Sequence, residues 1–258
     1  RAPRCSDLGF ALGPRINAGG RVGQADLGVR LLTTDDPDEA MAIAAQLDQF
    51  NQQRRAIEAE VQAEAEAQLV SQSERAVAVL AGRGWHPGVI GIVAGRIKEK
   101  AGRPAVVIAL EADDAGMGKG SGRSVSGVDL GAAIIAAREA GLLVAGGGHA
   151  MAAGLTIDPS RIEAFADFLE DRLAENVARA RIDQELALDL SLAPGGLIPQ
   201  LVEQMEQAGP FGVGWPSPRI AVGPLQLVKA DIVGKDHVRA IVRGGDGGNF
   251  KAIAFRSA

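Results

Sequence analysis

Four short segments of the 258-residue chain set cationic or polar side chains among glycines: GPRINAGGR (Gly13 to Arg21), RGWHPGVIG (Arg83 to Gly91), GSGRS (Gly120 to Ser124) and GGGHAMAAG (Gly146 to Gly154). In GSGRS, Arg123 stands between serines and offers a planar fork of N–H donors flanked by hydroxyls, which is the donor chemistry a phosphate takes. In GPRINAGGR, Arg15, Asn17 and Arg21 place two cations and an amide within seven residues. In GGGHAMAAG, glycines up to Gly147 and Gly148 precede His149, and Met151 is the one large side chain that follows. Such a stretch reads as a tight turn, or as a loop whose backbone approaches a ligand with the imidazole aimed at it. Each segment carries the same two readings: turn, or loop presenting backbone N–H groups and a cation to an anion. None is a P-loop, because Lys119 lacks the following serine or threonine.

Other residues with chemical capacity read as structural or as weaker candidates. His86 precedes Pro87 at a helix start and suits either a cap or an anion contact. Trp85 reads as a packing residue or a base-stacking platform. Lys119 reads as a solvated loop charge, as do Asp113 and Asp114 in a loop between strands. His237 beside Asp236 reads as a hairpin edge. The chain has three histidines and a single cysteine, Cys5, so neither an intrachain disulfide nor a thiolate cluster is expected, which suits a reducing cytoplasm.

These segments are spaced by recognisable elements. From Asp38 to Ala81 there is no glycine or proline, and Leu47, Phe50, Ile57, Val61, Ala65 and Leu69 recur at helical spacing, so a helix of about 35 residues is expected to bridge two compact units. Asp36 suits its N-cap, Pro37 its first turn, and Glu39 completes a capping box. Arg54 falls on the apolar stripe of this helix and needs a partner or a ligand. Next come a buried strand (Ala76 to Ala81), a helix (Gly88 to Ala101) stopped by Gly102, and a second strand (Ala105 to Leu110), a pattern that predicts a parallel βαβ unit. The glycine-rich GMGKGSGRSVSG is expected as a loop, followed by helices at Asp129 to Ala140 and Pro159 to Val177 around a strand through Leu155 and Ile157. Beyond these the period becomes two: ELALDLSL aligns Leu186, Leu188, Leu190 and Leu192 on one strand face, and HVRAIVR and NFKAIAF flank a GGDGG hairpin. This tail fits part of an OB-type barrel.

The net charge of −5, in a chain 47% hydrophobic and 23% charged, conceals a segregation. Residues 1–34 carry five arginines against two aspartates, and residues 219–258 carry seven basic side chains against three aspartates, whereas residues 35–75 hold ten acidic side chains against three arginines. Basic ends around an acidic helix allow a local phosphate-binding surface or ordinary surface charge. No apolar run reaches membrane-spanning length, so no membrane partner is expected. A chain starting at Arg1 and stopping within a strand-like KAIAFRSA reads as a piece of a longer protein.

Together and in this order, the segments resemble the RecJ branch of the DHH phosphoesterase superfamily, the single-strand-DNA-specific 5′→3′ exonucleases of repair and recombination. GPRINAGGR is similar to the motif closing that family's catalytic domain, with Gly19 in place of an alanine. LDQFNQQRR matches its connecting helix. RGWHPGVIGIVAGR, GSGRS and GGGHAMAAG match three signatures of the DHH-associated domain, and PFGVGWPSPRI resembles the lead into the OB-fold, with Trp215 where asparagine is usual. The resemblance implies an α/β fold: the end of a catalytic domain at 1–36, a long connecting helix at 37–73, a DHH-associated α/β domain with a mixed sheet at 74–178, and a partial OB-like β-barrel at 179–258. It implies Arg15, Asn17, Arg21, Arg123, Ser124, Gly147, Gly148 and His149 as substrate-binding residues, single-stranded DNA as partner, and a single-strand-binding protein as a candidate second partner. It further implies paired Mg²⁺ or Mn²⁺ in the full-length enzyme, held by a DHH triplet and aspartates. No such triplet occurs in these 258 residues, so catalytic and metal-binding residues are expected upstream of Arg1. A nucleic-acid-binding module without hydrolytic activity and a phosphodiesterase for short oligonucleotides or cyclic dinucleotides are the alternatives.

Overall fold

The computed structural model describes residues 5–111, 116–183, 185–212, 214–234, 236–245, 247–255 and 257. Arg1 and Arg4 of the basic N-terminal run, the loop aspartates Asp113 and Asp114, and Lys235, Asp246 and Arg256 of the tail lie outside the described residues. The chain divides into two compact units, Arg1–Gln184 and Glu185–Ala258.

The first unit opens with a helical turn, α1 (Cys5–Asp7), which passes through a π-helical stretch, Leu8–Leu12, into α2 (Gly13–Val22). GPRINAGGR is thus a helix, not the loop its glycines suggested. A helical glycine costs about 1 kcal/mol against alanine, and packing accounts for Gly19: a Cβ there would lie 2.6 Å from the Gln24 carbonyl oxygen and 3.2 Å from Leu47 Cδ2. After α3 (Leu27–Thr33) comes the long helix α4 (Pro37–Ser71), of 35 residues. Asp36 caps it, accepting from the amides of Asp38 at 2.9 Å and Glu39 at 3.4 Å. The expected reciprocal bond from Glu39 is replaced by a relay through Thr34, whose hydroxyl donates to Glu39 and accepts from the Asp36 amide.

α4 joins two apolar clusters within one unit rather than two units. Near its start Ile43 and Leu47 pack with Leu27, and farther along Val61 and Ala65 enter the core beneath the sheet. That sheet contains β1 (Ala78–Arg83), β2 (Ala105–Leu110), β3 (Gly118–Arg123), β4 (Ala145–His149) and β5 (Ala152–Ile157) in the order β1-β2-β3-β5-β4. β1 and β2 are parallel, joined through α5 (Pro87–Ala101), which Gly102 ends with φ 62°; the remaining pairings are antiparallel. The open edge of β1 is closed by two side chains four residues apart at the end of α4, Gln68 in its last turn and Gln72 at its C-cap. Gln72 exchanges hydrogen bonds with the Val79 amide and carbonyl at 3.0 and 2.7 Å, and Gln68 does the same with Ala81 at 3.2 and 2.9 Å. Two amides thereby stand in for a sixth strand and satisfy an edge that would otherwise recruit another chain.

The two faces of the sheet are covered unequally. α6 (Leu130–Glu139) and α7 (Ile162–Ile182) bury one face with Val106, Ile108, Leu155 and Ile157. On the other face α4 and α5 cover β1 and β2 through Leu80, Val89, Val93 and Val107. Period-two alternation across β3 puts Gly118, Gly120 and Gly122 on the α6 face, where added Cβ atoms would lie 2.9 Å or less from Ile108, Leu155 and Leu130. Those glycines make room for large core side chains.

The second unit holds a three-stranded antiparallel sheet, β8 (Leu225–Val233), β9 (His237–Gly244) and β10 (Asn249–Ala254), in the order β10-β9-β8. It also holds a short parallel pair, β6 (Leu190–Leu192) with β7 (Ile220–Val222), and helix α8 (Pro199–Gln207). The expected strand over ELALDLSL shortens to β6; Leu186 and Leu188 precede it and are exposed. The architecture is mixed α/β followed by OB-like strands. No helix among the described residues is long and apolar enough to cross a membrane.

Candidate nucleic-acid interface

Alternation along β3, β5 and β4 builds a polar surface opposite the α6 face. The registers align Arg123 with Ala152 and His149, Ser121 with Gly154 and Gly147, and Lys119 with Thr156 and Ala145. Residues in one row share a face. The same rows continue into Ala105, Val107 and Ala109 of β2, which lie under α5, so Lys119, Ser121 and Arg123 emerge where that helix stops covering the sheet. Gly147 and Gly154 floor the uncovered part, and a Cβ on Gly147 would meet nothing within 4 Å.

GSGRS and GGGHAMAAG are therefore strands, not loops. Their backbones pair with neighbouring strands, and the second segment folds as a hairpin turning at Ala150 and Met151. His149 closes the end of its row, exposed, about 10 Å from Arg123 across two inter-strand spacings. Its Nδ1 accepts from the Met151 amide at 3.3 Å. Gly148 faces the other way, its missing Cβ 2.3 Å from the Ala152 carbonyl oxygen. Ser124 lies one residue past β3, buried, and donates to the Val128 carbonyl at 2.8 Å. The serine beside the guanidinium is Ser121, whose hydroxyl accepts from Arg123 Nη1 at 3.0 Å.

A cleft of ≈ 510 Å³ runs between this surface, the start of α5 and the end of α2, lined by Arg21, Gly88, Gly91, Lys119, Ser121 and Arg123 among others. Arg21 reaches it because α2 and α5 touch backbone to backbone: a Cβ on Gly88 would lie 2.2 Å from the Arg21 carbonyl oxygen, and Arg21 Nη1 donates to the Gly88 carbonyl at 3.1 Å. Burial, and then the nearby Arg21, make the Arg123 guanidinium easier to deprotonate than usual. Neither arginine makes an ion pair among the described residues. Two cations facing one cleft without a carboxylate form an electrostatic vacancy for an anion.

Helical spacing sorts the α2 candidates. Asn17 and Arg21 are four residues apart, hence on one face, and with Arg54 they line an adjoining cleft of ≈ 390 Å³. Arg21 is common to both clefts. Arg15 lies off that face: its Nε donates to Asp48 and its Nη1 to the Ala11 carbonyl, each at 2.7 Å. The partner Arg54 required is Glu58, with Asn51 accepting a second bond at 2.9 Å.

His86 is the N-cap of α5, its Nδ1 accepting from the Gly88 amide at 3.0 Å. Trp85 is 5% exposed and donates to Glu64, as a packing residue does. Lys119 is a strand residue rather than a loop charge, and it donates to Thr156 at 3.1 Å. Sequence reasoning counted both serine hydroxyls around Arg123 but carried only Ser124 forward as a site residue, and it overlooked Glu58; strand parity with Arg123 and the i,i+4 spacing from Arg54 were the signals that pointed to Ser121 and Glu58. Among the described residues no group of three or more His, Cys, Asp and Glu side chains is placed to hold a metal ion.

Comparison with known proteins matches residues 74–175 to the DHHA1 domain and residues 188–258 to the RecJ OB domain. The chain is 39% identical to the single-stranded-DNA-specific exonuclease RecJ of Dickeya dadantii (strain 3937), over 97% of this chain and 44% of that protein. It is 36% identical to the protein of that name from Escherichia coli (strain K12), over 94% and 43%. The crystal structure of RecJ in complex with Mn²⁺ from Thermus thermophilus superposes with a TM-score of 0.76 at 30% identity, covering 99% of this chain and 36% of that one; a Mg²⁺ complex of the same protein gives 0.72. The chain spans less than half the length of these relatives.

Proposed function

We propose, from the premise that this chain belongs to the RecJ family and carries its DHHA1 and OB domains, that it is the substrate-holding part of a single-stranded-DNA-specific 5′→3′ exonuclease. The enzyme hydrolyses phosphodiester bonds, and these residues grip the strand by its phosphates. The observation that carries the reading is the Arg21 and Arg123 pair, two cations without carboxylate partners among the described residues, facing one open cleft at the edge of a glycine-floored sheet. Asn17 and Arg54 in the adjoining cleft hold a neighbouring phosphate, and His149 closes the same row as Arg123. Residues 1–36 complete a catalytic domain, 37–73 connect it to the DHH-associated domain at 74–178, and 179–258 guide the strand. The share of each relative lying outside the alignment leaves room for the domain that binds Mg²⁺ or Mn²⁺. The enzyme acts in the cytoplasm, with a single-strand-binding protein as accompanying partner on the strength of the family resemblance.

Titrating a single-stranded oligonucleotide against the chain across a salt series tests this. Three or four phosphate contacts give a log–log slope of roughly −2 to −3, and Arg123→Ala reduces its magnitude by about one. A flat salt response, or tighter binding of duplex, sinks the reading.

A further inference from the structure

Glu58 on α4 has 4% of its side chain exposed and pairs with two guanidiniums: Arg54, one turn back on the same helix, and Arg96 of α5 at 2.5 Å. One carboxylate between two arginines leaves an excess positive charge, to which Arg21 and Arg55 add. An isolated buried pair would need no such surplus.

Arg54 is the member of this group that reaches open space. Its side chain is 12% exposed and it lines the cleft shared with Asn17 and Arg21. Nη1 donates to Glu58 and Nη2 donates to Asn51, itself 5% exposed. These two bonds, from two residues of one rigid helix, fix the plane of the guanidinium. Nε is buried and has no hydrogen-bond partner among the described residues, so the second N–H on each Nη is the pair of donors left for a ligand.

The geometry points to Glu58 as a positioning residue, which locks Arg54, with Arg96 behind it, in the orientation that presents two N–H donors to a phosphate of the bound strand. This rests on the phosphate-holding reading above and assigns a role to a carboxylate in a site that attracts anions. By charge alone Glu58 repels DNA, so a positioning role and a purely electrostatic one predict opposite signs for its removal.

The test uses the full chain and a single-stranded oligonucleotide, with binding measured below each variant's thermal midpoint. Glu58→Gln weakens binding on the order of tenfold although the cleft becomes more positive. Glu58→Asp, which keeps the charge and retracts the carboxylate, weakens it as well and carries the comparison if Glu58→Gln melts early. In an Arg54→Ala background Glu58→Gln no longer weakens binding, because the group it orients is gone. Without DNA, the side-chain nitrogen NMR signals of Arg54 report hindered guanidinium rotation that Glu58→Gln releases. Tighter or unchanged binding by Glu58→Gln, or Arg54 signals indifferent to it, overturns the positioning role. Signals that respond to Glu58→Gln in a chain that binds no oligonucleotide overturn the phosphate-holding reading instead, and with it the ligand named here.

Discussion

A Cβ placed on Gly91 of α5 would stand 3.0 Å from Nη2 of Arg123 and 3.1 Å from Oγ of Ser121. The helix leaves just enough room for the fork beneath it. Alanine at an interior helix position is favoured over glycine by about 1 kcal/mol, so Gly91→Ala holds or raises the thermal midpoint. The same methyl displaces the guanidinium, and oligonucleotide affinity falls by about tenfold, the scale of one charge-assisted hydrogen bond. Melting and binding measured on one preparation check this; a variant that binds normally shows that the fork is not the contact.

The two serines flanking Arg123 separate stability from binding. Ser124→Ala removes the donor to the buried Val128 carbonyl and costs about 1 kcal/mol of stability, with affinity unchanged. Ser121→Ala removes one of the two acceptors of Arg123 Nη1, leaving the Gly122 carbonyl at 2.8 Å, and lowers affinity several-fold while denaturant midpoints barely move. The reverse pattern would return Ser124 to the site.

His149 is exposed and bonds one backbone amide, so His149→Ala costs little stability, about 0.5 kcal/mol or less. In a full-length enzyme that contains this chain, turnover falls by about ten- to a thousandfold if the imidazole holds a phosphate in the transition state. Early melting with normal specific activity would make it a structural residue.

Much of the scaffold was legible because its signals are local. The proline at position 37 with Asp36 before it, the unbroken apolar stripe to Leu69, and the pattern AVVIAL each specify one element without reference to the rest. The glycine segments were not legible, because glycine in β3 is chosen by what lies across from it: Leu155 and Leu130 crowd Gly120 and Gly122 from other elements. Reading GSGRS as a strand would have paired Arg123 with Ser121 and released Ser124 by parity alone. Reading GPRINAGGR as a helix would likewise have kept Asn17 with Arg21 and set Arg15 apart.

Gln68 and Gln72 close the edge of β1. Replacing both with leucine keeps the helix and leaves Val79 and Ala81 with unpaired amides and carbonyls at an open edge, costing about 2–4 kcal/mol and promoting self-association. Size-exclusion chromatography together with urea unfolding checks this; a monomer of unchanged midpoint contradicts it.

Acid weakens the contact between α4 and α5 at Glu66. The Lys100 ammonium, foremost, holds this carboxyl below its ordinary value of 4.5. A depressed carboxylate contributes stability that is complete above its unfolded value and is lost as pH falls through its folded one. The stability advantage of the native chain over Glu66→Gln therefore persists at pH 6 and shrinks below about pH 4.5. Urea midpoints across that range, parallel at every pH, would show no such linkage.

The uncovered part of the sheet, floored by Gly147 and Gly154, carries a consequence for discrimination. Direct reading of a base needs a side chain with donors and acceptors set against its edge, and glycine has none to offer. Under the proposed function, a strand lying here would be held by what every nucleotide has in common, and one letter would pass as readily as another. On the phosphate-holding proposal, a bare floor is the feature that leaves the cleft indifferent to sequence.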